Sequence, residues 1–359
     1  MRISKVKKRL KEQKLDAILF TDLINIRYLC GYSGSSGLLL VIDTEDAALF
    51  FTDFRYKTQA ALEVKDAEII VPDNGSLIDA LTKRSELNNI KRIGFEKSIT
   101  WAQLDGLKTK MPSHLEWLPI DDSVQTMRAS KDSKEIANIK VAIKVAQEAL
   151  KKTLPSLKPG IIERELAAKL DYQLRLIGAE KPAFDTIVVS GERSALVHGK
   201  PSDKAIEKGD FVTIDYGAVV NGYASDITRT FIMGKPSKKQ REIYETVYRA
   251  QAVAIEAAKP GMNGKELDAV ARDIIKKAGY GDYFGHGLGH GLGFAVHDRP
   301  RVGALSEDVI PKNAMITIEP GIYIPDFGGV RIEDDVRITK NGCEVLTSLP
   351  KRLEEMIIE

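Results

Sequence analysis

Cysteine occurs only at positions 30 and 343, with no C-x-x-C, so the chain carries neither a disulfide framework nor a cysteine-rich metal site. Such usage fits a reducing compartment, and a cytoplasmic protein is the expectation. Apolar runs of membrane-spanning length are missing, and the basic start MRISKVKKRLKEQK runs into more charge, not into the apolar core of a secretory signal. Charge of one sign is also missing. Lys and Arg number 53 against 51 Asp and Glu, a net charge of +2, without the basic excess that binding a phosphate backbone requires. What remains, with 359 residues, 43% hydrophobic and 29% charged, is a globular chain long enough for two domains.

Histidine is scarce as well, and three of the five lie between Gly285 and Asp298, in GHGLGHGLGFAVHD. Five glycines at alternate positions would cost a helix roughly 1 kcal/mol each relative to alanine, so His286 and His290 are not an i,i+4 metal pair on a helix. An extended segment would instead project His286, Leu288, His290 and Leu292 from one side. No G-x-G-x-x-G or Walker lysine motif fits this stretch, so the glycines point to close backbone approach and not to nucleotide binding. A single histidine in such a setting is more often structural than catalytic. The surrounding acids change that reading.

In chain order, a surface helix at 3–14 precedes a buried strand at 16–21 and further strands at 38–42, 47–52, 68–71 and 92–95, with a helical stretch near 77–87. Strands alternating with helices describe a compact α/β unit ending near Asp121. Tyr32–Gly37 (YSGSSG) reads as plain turn. At Met127–Glu135 composition turns polar, and Asp132 with Glu135 forms a capping box for a helix whose apolar face is Ile136, Ile139, Ile143, Ala146 and Leu150. The expected domains are 1–125 and 126–359.

The second part is internally repeated. Lys158-Pro159-Gly160 returns as Lys259-Pro260-Gly261, followed at the same offset by Glu165-Leu166 against Glu266-Leu267 and by Gly178 against Gly279. The strand IEKGDFVTIDYG at 206–217 aligns with IPKNAMITIEPG at 310–321, setting Asp215 against Glu319, and ALVH ending at His198 is echoed by FAVH ending at His297. Acids at strand ends often serve as caps or turn formers. Matching acids in both halves weigh against that. Asn221-Gly222 signals a type I′ hairpin between 210–220 and 223–233. Counting back from its turn places Asp215 opposite Thr228 and makes Asp226 its diagonal neighbour, roughly 7–8 Å away at the backbone. Two such carboxylates either share a cation or share a proton. In the other half, Arg331 and Glu333 alternate onto one face of VRIEDDVRI. Asp215, Asp226, Glu319 and Glu333 with His290 form an oxygen-rich set whose charge suits two divalent ions better than a single Zn²⁺, and suits Mn²⁺, Co²⁺ or Fe²⁺ better than Ca²⁺.

These residues also carry a family resemblance. HGKPSD at 198–203, DYG and SDITRTF around the two aspartates, GHGLGHGLG, IEPGIY at 318–323 and GVRIEDD at 329–335 resemble the proline-specific peptidases of the pita-bread metallopeptidase family, which includes Xaa-Pro dipeptidases and Xaa-Pro aminopeptidases. The resemblance implies a creatinase-like α/β domain followed by an α+β pita-bread catalytic domain with pseudo-two-fold duplication. It implies two divalent ions per subunit, most readily Mn²⁺ or Co²⁺ with Fe²⁺ or Zn²⁺ as alternatives, bridged by Asp226 and Glu333 and completed by Asp215 on one side and by His290 with Glu319 on the other. Activated water would attack the peptide carbonyl, and Glu319 would carry its proton toward the departing proline nitrogen. His198 and His297 would hydrogen-bond the substrate, Arg331 would buttress the ligands, His286 would line the proline pocket, and Tyr323 would serve in one of those two roles or in ordinary packing.

Arg301, eleven residues after His290, matches the position of a carboxylate-reading arginine in prolidases, which favours a dipeptidase. YLCGYSGSSG and FFTDFRY in the first domain resemble bacterial Xaa-Pro aminopeptidases, which accept longer peptides. A metal-free binding module on the same scaffold is the remaining alternative, disfavoured by the intact acids. The resemblance also implies a homodimer acting on short proline peptides, with no nucleic-acid or membrane partner.

Overall fold

In the computed structural model, which describes residues 2–44, 47–121 and 123–359, the spacing of Ile3, Val6 and Leu10 produces an amphipathic helix, Arg2–Gln13, with those three side chains buried. It belongs to the first of two units, Met1–Met127 and Arg128–Glu359. The first unit is built on a six-stranded mixed sheet in the order Ala67–Ile70, Ala48–Phe51, Leu38–Ile42, Ala17–Phe20, Arg92–Phe95, Glu116–Pro119. The expected helix at 77–87 is broken into helix Leu77–Thr82 and a 3₁₀ turn, Ser85–Asn89. Leu81 and Leu87 both enter the core, and a continuous helix would set them roughly 120° apart about its axis. Helices Leu23–Cys30 and Trp101–Lys110 and the strand Glu116–Pro119 lie outside the expected elements, although Asp22 caps the first helix and Thr100 with Gln103 forms a capping box on the second.

In the second unit Asp132 caps helix Ser133–Thr153, accepting from the N–H groups of Lys134 and Glu135, while Glu135 closes the capping box. Ile136, Ile139, Ile143, Ala146 and Leu150 are all buried along it. The sequence repeat is repeated in hydrogen bonds. Gly160 N–H donates to Ile206 O at 2.8 Å and Gly261 N–H to Ile310 O at 2.9 Å, and the return bonds from Ile206 to Ile161 and from Ile310 to Met262 match in the same way. Helices Glu163–Ile177 and Gly264–Lys277 follow these turns. Each half then adds a sheet. One runs Ile357–Ile358, Ile227–Met233, Phe211–Tyr216, Ile187–Ser190; the other runs Asp298–Val302, Gly289–Gly291, Met315–Ile318, Asp334–Ile338, Cys343–Val345.

The hairpin has the expected register, Val220 facing Tyr223 and Asp215 facing Thr228, around Asn221 and Gly222 with φ of 50° and 78°. It is not one straight ribbon. At Gly217 the strands approach so closely that a β-carbon would lie 1.9 Å from Ser225 O, and the ladder divides there into Phe211–Tyr216 with Ile227–Met233 and Ala218–Val220 with Tyr223–Ala224. Asp215 and Asp226 flank that bend. VRIEDDVRI is likewise two strands. Gly328–Arg331 pairs with Gly321–Ile324 and Asp334–Ile338 with Met315–Ile318, and Glu333 between them donates its N–H to Thr228 O at 3.2 Å.

The glycine stretch also departs from a single strand with one face. Only Gly289–Gly291 is strand, with a register shift after His290; Leu288 and Leu292 are fully buried in the core, while His286 and His290 line a cavity. Thr317 explains part of the glycine requirement, because a β-carbon at Gly289 would sit 2.1 Å from its carbonyl oxygen.

Beneath the two sheets lies Arg229, 1% exposed. Its guanidinium donates to the carbonyls of Thr228, Glu333, Leu349 and Pro350 and to Asp334 Oδ1 at 2.8 Å. Asp334 Oδ2 accepts from Lys351 and from Gln251 Nε2. Replacing Asp334 by Ala strands a buried guanidinium, and denaturant unfolding should show a loss of about 3–5 kcal/mol; a loss under about 1 kcal/mol would show that Arg229 does not depend on this partner.

Candidate metal centre

A cavity of about 430 Å³ is lined by residues from both halves of the repeat, including Asp215, Asp226, His290, Glu319 and Glu333. Their placement follows from register. Asp215 and Asp226 come from either side of the Gly217 bend, and extending the pairing of Ile318 with Asp334 by one step sets Glu319 against Glu333. His290 reaches the same space from the short strand beside Met315–Ile318. Ligand atoms of Asp226, His290 and Glu333 all lie within 4.8 Å of one another. His290 Nε2 is 3.3 Å from Glu319 Oε1 and 3.6 Å from Asp226 Oδ2.

The donor set fits divalent cations. The His290 Nδ1–H is 3.1 Å from the carbonyl of Gly291, which can only accept, so the tautomer fixed by that bond turns a bare Nε2 lone pair toward two carboxylates. Such an arrangement is repulsive unless a cation or a proton sits between. Asp215 Oδ1 is buried without a hydrogen-bond partner among the described residues. Burial, and then the charge of neighbouring acids, pushes Asp226 and Glu333 well above the usual carboxylate range. Glu319 moves the other way, down to about 2: burial raises it, but the hydrogen bond and charge of His290 outweigh burial. His290 is raised in return, its own desolvation being overcome by Glu319. Burial and mutual repulsion thus favour the protonated forms of Asp226 and Glu333, and Glu319 favours the charged form of His290; a cation among these groups would relieve the same repulsion.

A hydrogen-bonded frame aims the acids. Arg331, 2% exposed, donates from Nη2 to Asp215 Oδ2 at 2.6 Å, from Nε to Thr228 Oγ1 at 3.0 Å and from Nη1 to Tyr323 OH at 2.8 Å. Thr228 donates onward to Glu333 Oε2 at 2.6 Å. Thr317 does the same for the other half, donating to Glu319 Oε1 at 3.0 Å while accepting from His290 N–H. Tyr323 lies behind the cavity wall. Its hydroxyl is 2.8 Å from His286 Nε2, and since His286 Nδ1–H is committed to Gly287 O, the tyrosine donates. Desolvation lowers the His286 pKa, in keeping with a neutral ring.

His286, His198 and His297 all line the cavity. The imidazoles of His198 and His297 are exposed and make no hydrogen bond among the described residues. Arg301 stands opposite His290 in the strand register but does not line the cavity; its exposed guanidinium has no hydrogen-bond or ion-pair partner among the described residues. Sequence reasoning missed Thr228 and Thr317, although one faces Asp215 in the counted register and the other lies two residues before Glu319. It also missed the wall formed by Phe184, Asp185, Thr186 and Ile187, which no local pattern marks, and it gave no role to the lining residues Lys200 and Pro201, although they lie within HGKPSD.

Residues 137–340 match the model of metallopeptidase family M24, and residues 2–130 match the creatinase/prolidase N-terminal domain. An Xaa-Pro dipeptidase of Pyrococcus furiosus is 43% identical over 352 residues, covering 98% of this chain and 99% of that one. Among solved structures, an Xaa-Pro dipeptidase from Bacillus anthracis superposes with a TM-score of 0.95 at 40% identity, covering 99% of both chains. An X-Pro aminopeptidase from Thermotoga maritima gives a TM-score of 0.88 at 39% identity, covering 98% of this chain and 100% of that one. The chain belongs to metallopeptidase family M24, a metal-dependent peptidase with a creatinase/prolidase N-terminal domain.

Proposed function

We propose that this protein is an Xaa-Pro dipeptidase using two divalent ions, Mn²⁺ or Co²⁺ in preference to Fe²⁺ or Zn²⁺, in a catalytic domain of residues 126–359 that follows an N-terminal domain of residues 1–125. The observation that carries the reading is the convergence of four carboxylates and the His290 Nε2 lone pair on one cavity. Asp215, Asp226, His290, Glu319 and Glu333 would hold the ions. When bound, the ions supply Lewis acidity, acidifying water and polarising the peptide carbonyl.

The protein's own groups do the remaining work. Glu319, held by Thr317, takes the proton of the attacking water and returns it to the proline nitrogen as the bond breaks. His198 and His297 donate to the substrate carbonyl and to the oxygens of the tetrahedral intermediate, where charge develops. His286, fixed by Tyr323 and Gly287, joins Val296, Val197 and Ile187 in an apolar wall suited to the pyrrolidine ring. Arg301 reads the free carboxylate after proline. The same reading makes the protein a cytoplasmic homodimer: the free Cys30 and Cys343 suit a reducing compartment, and Phe54 and Leu62, each 80% exposed, offer apolar surface for a second copy.

An Xaa-Pro aminopeptidase is the second reading, favoured by the position of Arg301 outside the cavity lining and by the likeness to the Thermotoga structure. Stripping metal with a chelator should abolish proline release, and Mn²⁺ or Co²⁺ should restore it. Asp226→Asn should lower bound metal measured by elemental analysis. Gly-Pro should be cleaved and Gly-Pro-Ala left intact; comparable rates on both would replace dipeptidase with aminopeptidase. Arg301→Ala should raise KM for Gly-Pro about tenfold or more with kcat nearly unchanged, the signature of lost uniform binding to a charged group.

A further inference from the structure

His297 is carried by a segment with little backbone support of its own. Residues 293–297 are a run of bends leading to Asp298, which pairs with Gly291. The His297 ring lies edge-on to His290, with centroids 4.4 Å apart. Both ends of the segment are fastened from behind. At the first, Ala224 N–H donates to Gly293 O at 2.9 Å, and Tyr223 stacks on Phe294 at 4.1 Å. At the second, the Asp298 side chain, 1% exposed, takes the fork of Arg128: Nε to Oδ2 at 3.0 Å and Nη2 to Oδ1 at 2.9 Å. Oδ1 also accepts from the N–H of Arg299. Lys131 adds a second buried cation whose field reaches Asp298 and Glu135.

A buried ion pair is weak support for stability, because desolvation offsets most of its attraction. Neither Arg128 nor Asp298 lines the cavity, so neither touches substrate there. His297 directly precedes Asp298, lines the cavity and lies against the His290 ring, so pinning the buried Asp298 side chain fixes the point from which the His297 imidazole is carried.

We infer that Arg128 and Asp298 are positioning residues that hold the His297 imidazole at the mouth of the metal cavity, an inference that rests on the catalytic reading of His297 given above. The test uses the metal-loaded full chain with Gly-Pro. Asp298→Asn, which keeps the shape but weakens the fork, should lower kcat about tenfold to a hundredfold, as expected when a catalytic group is displaced by about an ångström, with KM and bound metal nearly unchanged. Arg128→Lys, which keeps the charge without the fork, should give part of that loss. In a His297→Gln background the same Asp298→Asn change should alter kcat by less than about twofold, because the two act through one group. Equal losses in both backgrounds would overturn the inference and leave the metallopeptidase reading standing, as would losses matched by a fall in bound metal or melting temperature in both variants. Full activity in His297→Gln alone would remove the catalytic reading of His297 and this inference with it.

Discussion

Repulsion among buried acids is the constraint on which the rest of this structure depends. Asp215, Asp226, Glu319 and Glu333 face one cavity, each almost wholly removed from bulk water, and they cannot all be ionised there unless positive charge lies among them. Arg331 supplies some of that charge but reaches only Asp215 directly. His290 supplies more when protonated, at the expense of the Nε2 lone pair that a metal would use. Divalent cations meet the same demand without consuming the lone pair. The chemistry of an M24 metallopeptidase is therefore written into the electrostatics of the protein before any substrate is considered.

Holding mutually repelling groups together requires a frame stiffer than the groups themselves, and the duplication provides it twice. Each half brings a turn, a helix and a strand with the same backbone hydrogen bonds, from Gly160 to Ile206 and from Gly261 to Ile310. Each half then steadies an acid with a threonine, Thr228 for Glu333 and Thr317 for Glu319. Where the halves meet, Arg229 ties the backbone of Glu333 to that of Thr228 and to Leu349 and Pro350. The strands that carry the ligands consequently cannot slip past one another by one residue without breaking buried charge pairs, and a one-residue slip is what would turn an acid away from the cavity.

The repeat was legible in the sequence because it is local chemistry copied: Lys-Pro-Gly turns, helix-ending glycines and acids at strand ends. Hairpin register was legible because Asn221-Gly222 fixes it by counting. What escaped was set by contacts between distant segments. The bend at Gly217 exists because Ser225 crosses there; the break in VRIEDDVRI exists because Glu333 pairs with Thr228 instead of continuing either ladder; and the glycine stretch divides its histidines from its leucines because one side is core and the other is cavity. Alternation predicts faces only while a strand stays straight. In each case the departure from a straight strand is at a residue that lines the cavity or stands beside one.

The same logic separates what the metal ligands decide from what decides the substrate. Tyr323 accepts from Arg331 and donates to His286, so Asp215 and the cavity wall at His286 share one chain of hydrogen bonds. Among the described residues nothing comparable holds the exposed side chain of Arg301. On the proposed reading, cleavage chemistry and the preference for proline would rest on buried, mutually constrained groups, and peptide length on Arg301, a long exposed cation.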